Sequence, residues 1–220
     1  EVDTTPPGIP QLSDDFISIF NISTPSFTGN AESGSTVILL VDNSPFSDTE
    51  ADSDGLFSLT TSELADGDYK ITFKATDAAG NESAESSEIS IEIDTTFPNI
   101  PTITTTTTTS NVTTPTIEGT AEAGSTVELF IGETSAGTTT AGSDGAFSIT
   151  TSELTEGDYS LTVTATDEAG NTSSASTAFA LTIDTTPPDA PVITTTTTTT
   201  NVTTPTIEGT AEAGSTVELF

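Results

Sequence analysis

The chain of 220 residues has no Cys, His, Met or Trp, and its only basic residues are Lys70 and Lys74. Each absence closes a class of chemistry. Without cysteine there is no disulfide, thiol nucleophile or zinc–thiolate site. Without histidine there is no imidazole to act as a base near neutral pH. Two cations cannot supply the basic footprint that a phosphate backbone requires, which excludes nucleic acid as a partner. The same shortage removes attraction to an anionic membrane surface, so no direct membrane contact is expected. No apolar run approaches the roughly 18 residues of a membrane-spanning helix, and no apolar signal-peptide core opens the sequence.

What the chain does have is acid: 34 Asp and Glu give a net charge of −32. Carboxylates and carbonyls are then its only strong ligands, and such hard oxygen donors suit calcium. Hydrophobic residues make up 32% of the chain, low enough beside that charge to raise the question of disorder. Patterning answers it.

The segment from Thr116 to Phe130 recurs unchanged from Thr206 to Phe220, and a looser copy starts at Ser26. Gly29, Gly119 and Gly209 are 90 residues apart, as are Tyr69 and Tyr159, Asp77 and Asp167, and Asp94 and Asp184. Asp3 to Asp94 is 91, a slip of one residue in the first linker. The expected units are residues 1–93, 94–183 and 184–220, the last holding only the first part of a repeat, as in a segment of a longer array. Each opens on a stiff, Pro-containing linker such as Asp94-Thr95-Thr96-Phe97-Pro98.

Within a repeat the apolar period is two. Tyr159, Leu161, Val163 and Ala165 alternate with Ser160, Thr162, Thr164 and Thr166, and Val127, Leu129 and Ile131 form a second such series. This is the pattern of antiparallel strands with one buried face. Asp-Gly, Ala-Gly and Glu-Gly turns separate the runs. Seven short strands in about 90 residues predict all-β, tandem immunoglobulin-like β-sandwiches of Greek-key connectivity, joined end to end. Tyr69 and Tyr159 follow Gly-Asp and lie five residues after Leu64 and Leu154, the placing of a tyrosine corner, although an ordinary core aromatic also fits. Phe57 and Phe147 stand in for the missing core Trp. The Thr-rich runs 104–109 and 194–200 are expected to form the first strand of their repeats, with alternate methyls inward; in the first repeat, residues 11–22 replace that run.

No catalytic role is expected. Ser and Thr abound without a base, the two lysines do not recur in the second repeat, and the carboxylate pairs sit in short turns. Asp52-Ser53-Asp54-Gly55 begins like a calcium loop, but Leu56 and Phe57 stand where further ligands belong, so a plain Asp-Gly turn is the better account. Asn-x-Ser/Thr triplets at Asn21, Asn81, Asn111, Asn171 and Asn201 follow from composition.

Topology gives the acidic turns more meaning. In an alternating trace the second-to-third, fourth-to-fifth and sixth-to-seventh turns share the end where the linker enters. For the second repeat these carry Glu122, Asp144 and the span from Asp167 to Asn171, beside Asp94. The preceding repeat presents Asp66-Gly67-Asp68 and Asp42-Asn43 to the same junction. Like charges 5–6 Å apart repel by about 1–3 kcal/mol per pair at an effective dielectric of 20–80. A bound Ca²⁺ reverses that sign. A solvated acidic surface without a site is the competing account.

The combination of Asp184-Thr185-Thr186-Pro187-Pro188, the stretch from Gly119 to Val127, Ser143-Asp144-Gly145-Ala146-Phe147-Ser148, Gly157-Asp158-Tyr159 and the stretch from Thr164 to Asn171 resembles the bacterial Ig-like repeats of giant secreted adhesins, including type I-secreted RTX adhesins. The resemblance implies end-to-end sandwiches at the bacterial cell surface, rigidified by calcium, that project a ligand-binding region for adhesion or biofilm formation. The partners would be neighbouring repeats of the same chain, with the adhesive target bound elsewhere in the full protein. Carried onto this sequence, the ligands at the middle junction are Asp94, Glu122, Asp167 and Asn171. Asp3, Glu32 and Asp77 serve the first repeat, Asp184 and Glu212 serve the third, and Asp68 approaches from the preceding domain. Two other readings remain: spacer modules of a large secreted enzyme, or modules that bind glycans or proteins directly through an exposed Phe130 or Phe220.

Overall fold

Alternating residues become strands wherever one face finds an apolar partner. In the computed structural model, which describes residues 2–14, 16–196 and 199–220, the first repeat forms β1 (Gln11–Leu12), β2 (Ile19–Phe20), β3 (Ser26–Asn30), β4 (Thr36–Val41), β5 (Ser44–Glu50), β6 (Leu56–Thr60), β7 (Gly67–Thr76) and β8 (Ile89–Ile93). The second repeats the series as β9 (Thr102–Ile103), β10 (Thr109–Ser110), β11 (Thr116–Thr120), β12 (Thr126–Ile131), β13 (Thr134–Thr140), β14 (Ala146–Thr150), β15 (Gly157–Thr166) and β16 (Phe179–Ile183). Each repeat is two facing sheets. The smaller has the order β1-β3-β6 or β9-β11-β14, and the larger β2-β8-β7-β4-β5 or β10-β16-β15-β12-β13. All pairings are antiparallel except β2 with β8 and β10 with β16.

Between the sheets of the second repeat lie Ile117, Val127, Leu129, Leu161, Val163 and Ile183, each without solvent exposure. Burying a side chain of this size contributes about 1.5–3 kcal/mol. On the outward face of β11 and β14 the Thr116 and Thr150 hydroxyls bond across the ladder at 2.9 Å. Phe147 is buried opposite Gly119, and Phe57 opposite Gly29. A Cβ at either glycine would collide with the ring and with the backbone carbonyl of Thr102 or Gln11, so both positions require Gly. The tyrosine corners form: the Tyr69 hydroxyl donates to the Ala65 carbonyl at 3.0 Å and that of Tyr159 to Thr155 at 2.8 Å.

The first strand departs from expectation. The Thr-rich run 104–109 is not one strand with inward methyls; its residues 104–108 are the step by which the chain crosses from one sheet to the other, and Thr109 opens β10. β9 pairs with β11 on the small sheet, β10 pairs with β16 on the large one, and Thr104, Thr106, Thr107 and Thr108 between them are exposed. An unbroken run of Thr has no apolar–polar alternation, so the sequence does not show which of its residues face inward. Thr105 is tied by its hydroxyl, which accepts from the Glu118 N–H at 2.7 Å. The first repeat is divided in the same way, with β1 on its small sheet and β2 on its large one. In the later run 194–200, Thr197 and Thr198 lie outside the described residues. Phe130 is half-buried rather than exposed.

Among the described residues of 184–220 there is one two-stranded ladder, β17 (Val192–Ile193) with β18 (Gly209–Thr210). Ile207, Val217 and Leu219 are exposed, although their sequence context is identical to that of the buried Ile117, Val127 and Leu129. Residues 184–220 contain no counterpart of β14, β15 and β16, which cover those side chains in the second repeat. Burial here comes from the partner strands, not from local sequence.

Candidate calcium site at the domain junction

The chain leaves the first sandwich along β8 and enters the second through Asp94-Thr95-Thr96. The Asp94 N–H donates to the Phe20 carbonyl at 2.9 Å, and its Oδ1 accepts the Thr96 N–H at 3.0 Å. The turn after β15 is built around Asp167, whose Oδ1 accepts the Asn171 N–H at 2.8 Å and whose Oδ2 accepts the Asn171 amide at 2.9 Å. Gly170, at φ 93°, makes the sharp bend possible. Asn171 is 96% buried, and its Nδ2 also donates to the Asp94 carbonyl at 2.8 Å, stitching turn to linker.

Asp94, Glu122 and Asp167 line one cavity of about 240 Å³ at this junction, together with Ile19, Glu92 and Glu168. No cation shares it. Lys70 is paired with Glu88 at 2.6 Å and Lys74 with Glu82 at 3.0 Å, both within the first repeat.

The top of the first repeat is built alike. Asp3, Glu32 and Asp77 line an open cavity of about 470 Å³. Asn81 takes the place of Asn171, donating to Asp77 Oδ2 at 2.7 Å and to the Asp3 carbonyl at 3.3 Å. The Asn81 amide, with the backbone N–H groups of Asn81, Ala79 and Gly80, holds the Asp77 carboxyl below the usual aspartate range, against the opposing effect of burial. In the third repeat Asp184 Oδ1 accepts the Thr186 N–H at 3.0 Å, and Glu212 is turned to its own linker, accepting the Asp189 N–H at 3.3 Å. Asp68 sits exposed on β7 opposite Glu92 and does not line the junction cavity, nor do Asp42 and Asp144. Asp42 Oδ1 instead accepts the Lys70 N–H at 3.1 Å, and Asp144 Oδ1 closes its own turn on Ala146 at 3.0 Å. Asp52 likewise closes a turn, accepting from Asp54 and Leu56 at 2.9 and 2.8 Å.

Two features escaped the sequence reading. Glu92 reaches the cavity from the last strand of the preceding sandwich, and Asp66 grips the linker rather than facing the cavity. The recurrence of an acid before Gly-Asp-Tyr, at Asp66 and Glu156, was the available signal.

The donor chemistry suits a hard divalent cation: the lining offers oxygen ligands and no positive charge. Glu92 and Glu122 accept no hydrogen bond on their carboxylates among the described residues, so both are free to ligate. The Asp167 carboxylate already serves its turn but retains lone pairs. As they stand, the side chains do not form a closed cage: among the described residues no group of three or more acidic side chains is placed to hold a metal ion.

Paired three- and five-stranded sheets with a tyrosine corner, repeated in tandem, define the class of immunoglobulin-type modules. The bacterial Ig-like domain family matches residues 13–95 and again residues 102–185, and the chain belongs to that family. Among solved structures, the fibronectin(III)-like modules of Clostridium thermocellum CbhA are 13% identical, with 80% of this chain and 94% of theirs covered and a TM-score of 0.53. The BSP domain of a biofilm-associated protein is 23% identical over 82% of this chain, at a TM-score of 0.35. A C-terminal fragment of intimin is 12% identical over 84% of this chain and 66% of its own, at 0.40. The chain spans 30% of the biofilm-associated structure. The likeness to the CbhA modules carries the fold alone, and nothing is argued from the other two. No curated protein matches the chain.

Proposed function

We propose that the tandem sandwiches are a stalk segment of a bacterial surface adhesin, outside the cell, whose junctions are stiffened by calcium. The observation that carries the reading is the junction cavity, lined without a cation by acidic residues of the linker (Asp94), the turn after β11 (Glu122) and the turn after β15 (Asp167). Glu92 adds a donor from the preceding sandwich, so an ion held there ties two domains together. Asp94, Glu122, Glu92 and Asp167 would hold it once their side chains turn inward from their present open arrangement, whereas Asn171, buried in its own turn, does not line the cavity. A bound Ca²⁺ supplies the charge that these carboxylates lack, which turns mutual repulsion into attraction. Weak sites of about 10⁻⁴–10⁻³ M would fill at the calcium concentrations found outside cells. The role is structural rather than catalytic, with neighbouring repeats as partners and the adhesive target bound elsewhere in the full protein. Small-angle scattering of the whole chain tests this. Calcium should lengthen the particle and raise its melting temperature, EDTA should reverse both, and Glu122→Gln should blunt the response. Superimposable curves with and without calcium would sink the proposal.

A further inference from the structure

Each sandwich also holds its outgoing linker by a carboxylate outside the calcium candidate. Asp66, in the turn before β7, accepts the Thr95 N–H at 3.1 Å and the Thr95 hydroxyl at 2.7 Å on Oδ1, and the Thr96 hydroxyl at 2.8 Å on Oδ2. Ninety residues on the acid is longer, yet the grip is retained: Glu156 Oε2 accepts the hydroxyls of Thr185 at 3.0 Å and Thr186 at 2.8 Å. Two features make the contact more than a chance surface bond. Asp94 and Asp184 each accept the N–H two residues on, curling both Thr pairs so that their hydroxyls face back toward the sandwich. The receiving turn is itself pinned, because the Tyr69 and Tyr159 hydroxyls bond the carbonyls of Ala65 and Thr155, each next to the gripping acid.

We propose that Asp66 and Glu156 are linker latches: each fixes the direction in which the chain leaves its sandwich, by accepting the hydroxyls of the Asp-Thr-Thr linker, without a metal. A carboxylate accepting several donors makes a stronger bond than a neutral pair. The hydroxyls of Thr95 and Thr96, then the Thr95 N–H, hold the Asp66 carboxyl below the usual aspartate range; Thr186 and then Thr185 do the same for Glu156. The charged neighbours on the adjoining strand and linker, Asp68, Glu92 and Asp94, are all acidic, so no ion pair contributes and the latch should be nearly insensitive to salt.

The latch stands apart from the calcium reading, and the test is therefore run on the whole chain in EDTA. Residual dipolar couplings report the relative orientation of the two sandwiches, and amide exchange at Thr95 reports the bond itself. Asp66→Ala and the near-isosteric Thr95→Val/Thr96→Val pair should each give the two sandwiches unequal alignment. Asp66→Ala should also speed Thr95 exchange by about tenfold, whereas Thr95→Ser/Thr96→Ser, which keeps the hydroxyls, should behave as the parent. The valine pair lies in the linker, outside both cores, so its effect does not depend on refolding a domain. Unchanged couplings in both Asp66→Ala and the valine pair would overturn the latch. Glu122→Gln should leave these readouts unaltered, so loss of the calcium site and loss of the latch are distinguishable.

Discussion

The two complete sandwiches share a strand order and register but are filled differently. In the first, Phe16, Phe20, Phe27, Phe57 and Phe73 form a continuous aromatic chain with ring centroids 5.8–6.3 Å apart. At the equivalent positions the second has Thr106, Ser110, Ile117, Phe147 and Val163, so one ring of five is kept. The one retained is the ring that must cover a glycine, Phe147 over Gly119. Charge differs too, since both lysines lie in the first repeat and residues 94–183 have none. What survives the change of filling is the period of two, the glycine–phenylalanine contact and the tyrosine corner. Those features specify the fold, and the remaining core volume is negotiable.

The comparison can be broken at its core. Phe27→Ala should cost the first sandwich about 3–5 kcal/mol and Ile117→Ala the second about 2–5 kcal/mol. In denaturant unfolding each variant should move only its own domain's transition; if either moved both, the sandwiches would be one cooperative unit. Gly29→Ala and Gly119→Ala sharpen it, because the close approach is the same in both repeats. Each should lose about 1–3 kcal/mol through overpacking, and a large inequality would show that the aromatic-rich core yields differently. The smallest effect concerns pH. The Asp77 carboxyl is lowered in the folded state, so its contribution is complete above the ordinary aspartate pKa and is lost as pH falls through the lowered folded value. Acid titration of thermal stability should therefore show a loss in the first sandwich that Asp77→Asn flattens.

Most of the fold was legible because period-two burial leaves a direct trace in sequence. Val127, Leu129, Leu161 and Val163 declared a face before any pairing was known, and Leu154 with Gly157-Asp158-Tyr159 declared the corner. The split first strand was not legible, since the Thr run carries no alternation and its path depends on two sheets that it does not encode. At the junction, sequence register combined with topology named Asp94, Glu122 and Asp167 together, and all three line one cavity. It could not place Asp68, whose orientation is set by the pairing of β7 with β8 opposite Glu92. Nor could it find the grip of Asp66 and Glu156, which exists only once the linker folds back on the preceding turn.

The parallel pairing of β2 with β8 has a mechanical consequence. The Ser18 carbonyl accepts the Glu92 N–H at 2.8 Å and the Phe20 carbonyl accepts the Asp94 N–H at 2.9 Å; in the second repeat Thr108 and Ser110 do the same for Thr182 and Asp184 at 2.8 and 2.9 Å. These bonds join the first part of each domain to its last strand. Pulling the two ends of the chain apart drives the paired strands in opposite directions along their own lengths. The bonds are then loaded in shear and must fail together, rather than peeling open one after another. A string of such domains under tension keeps its length up to a threshold force and then yields one sandwich at a time.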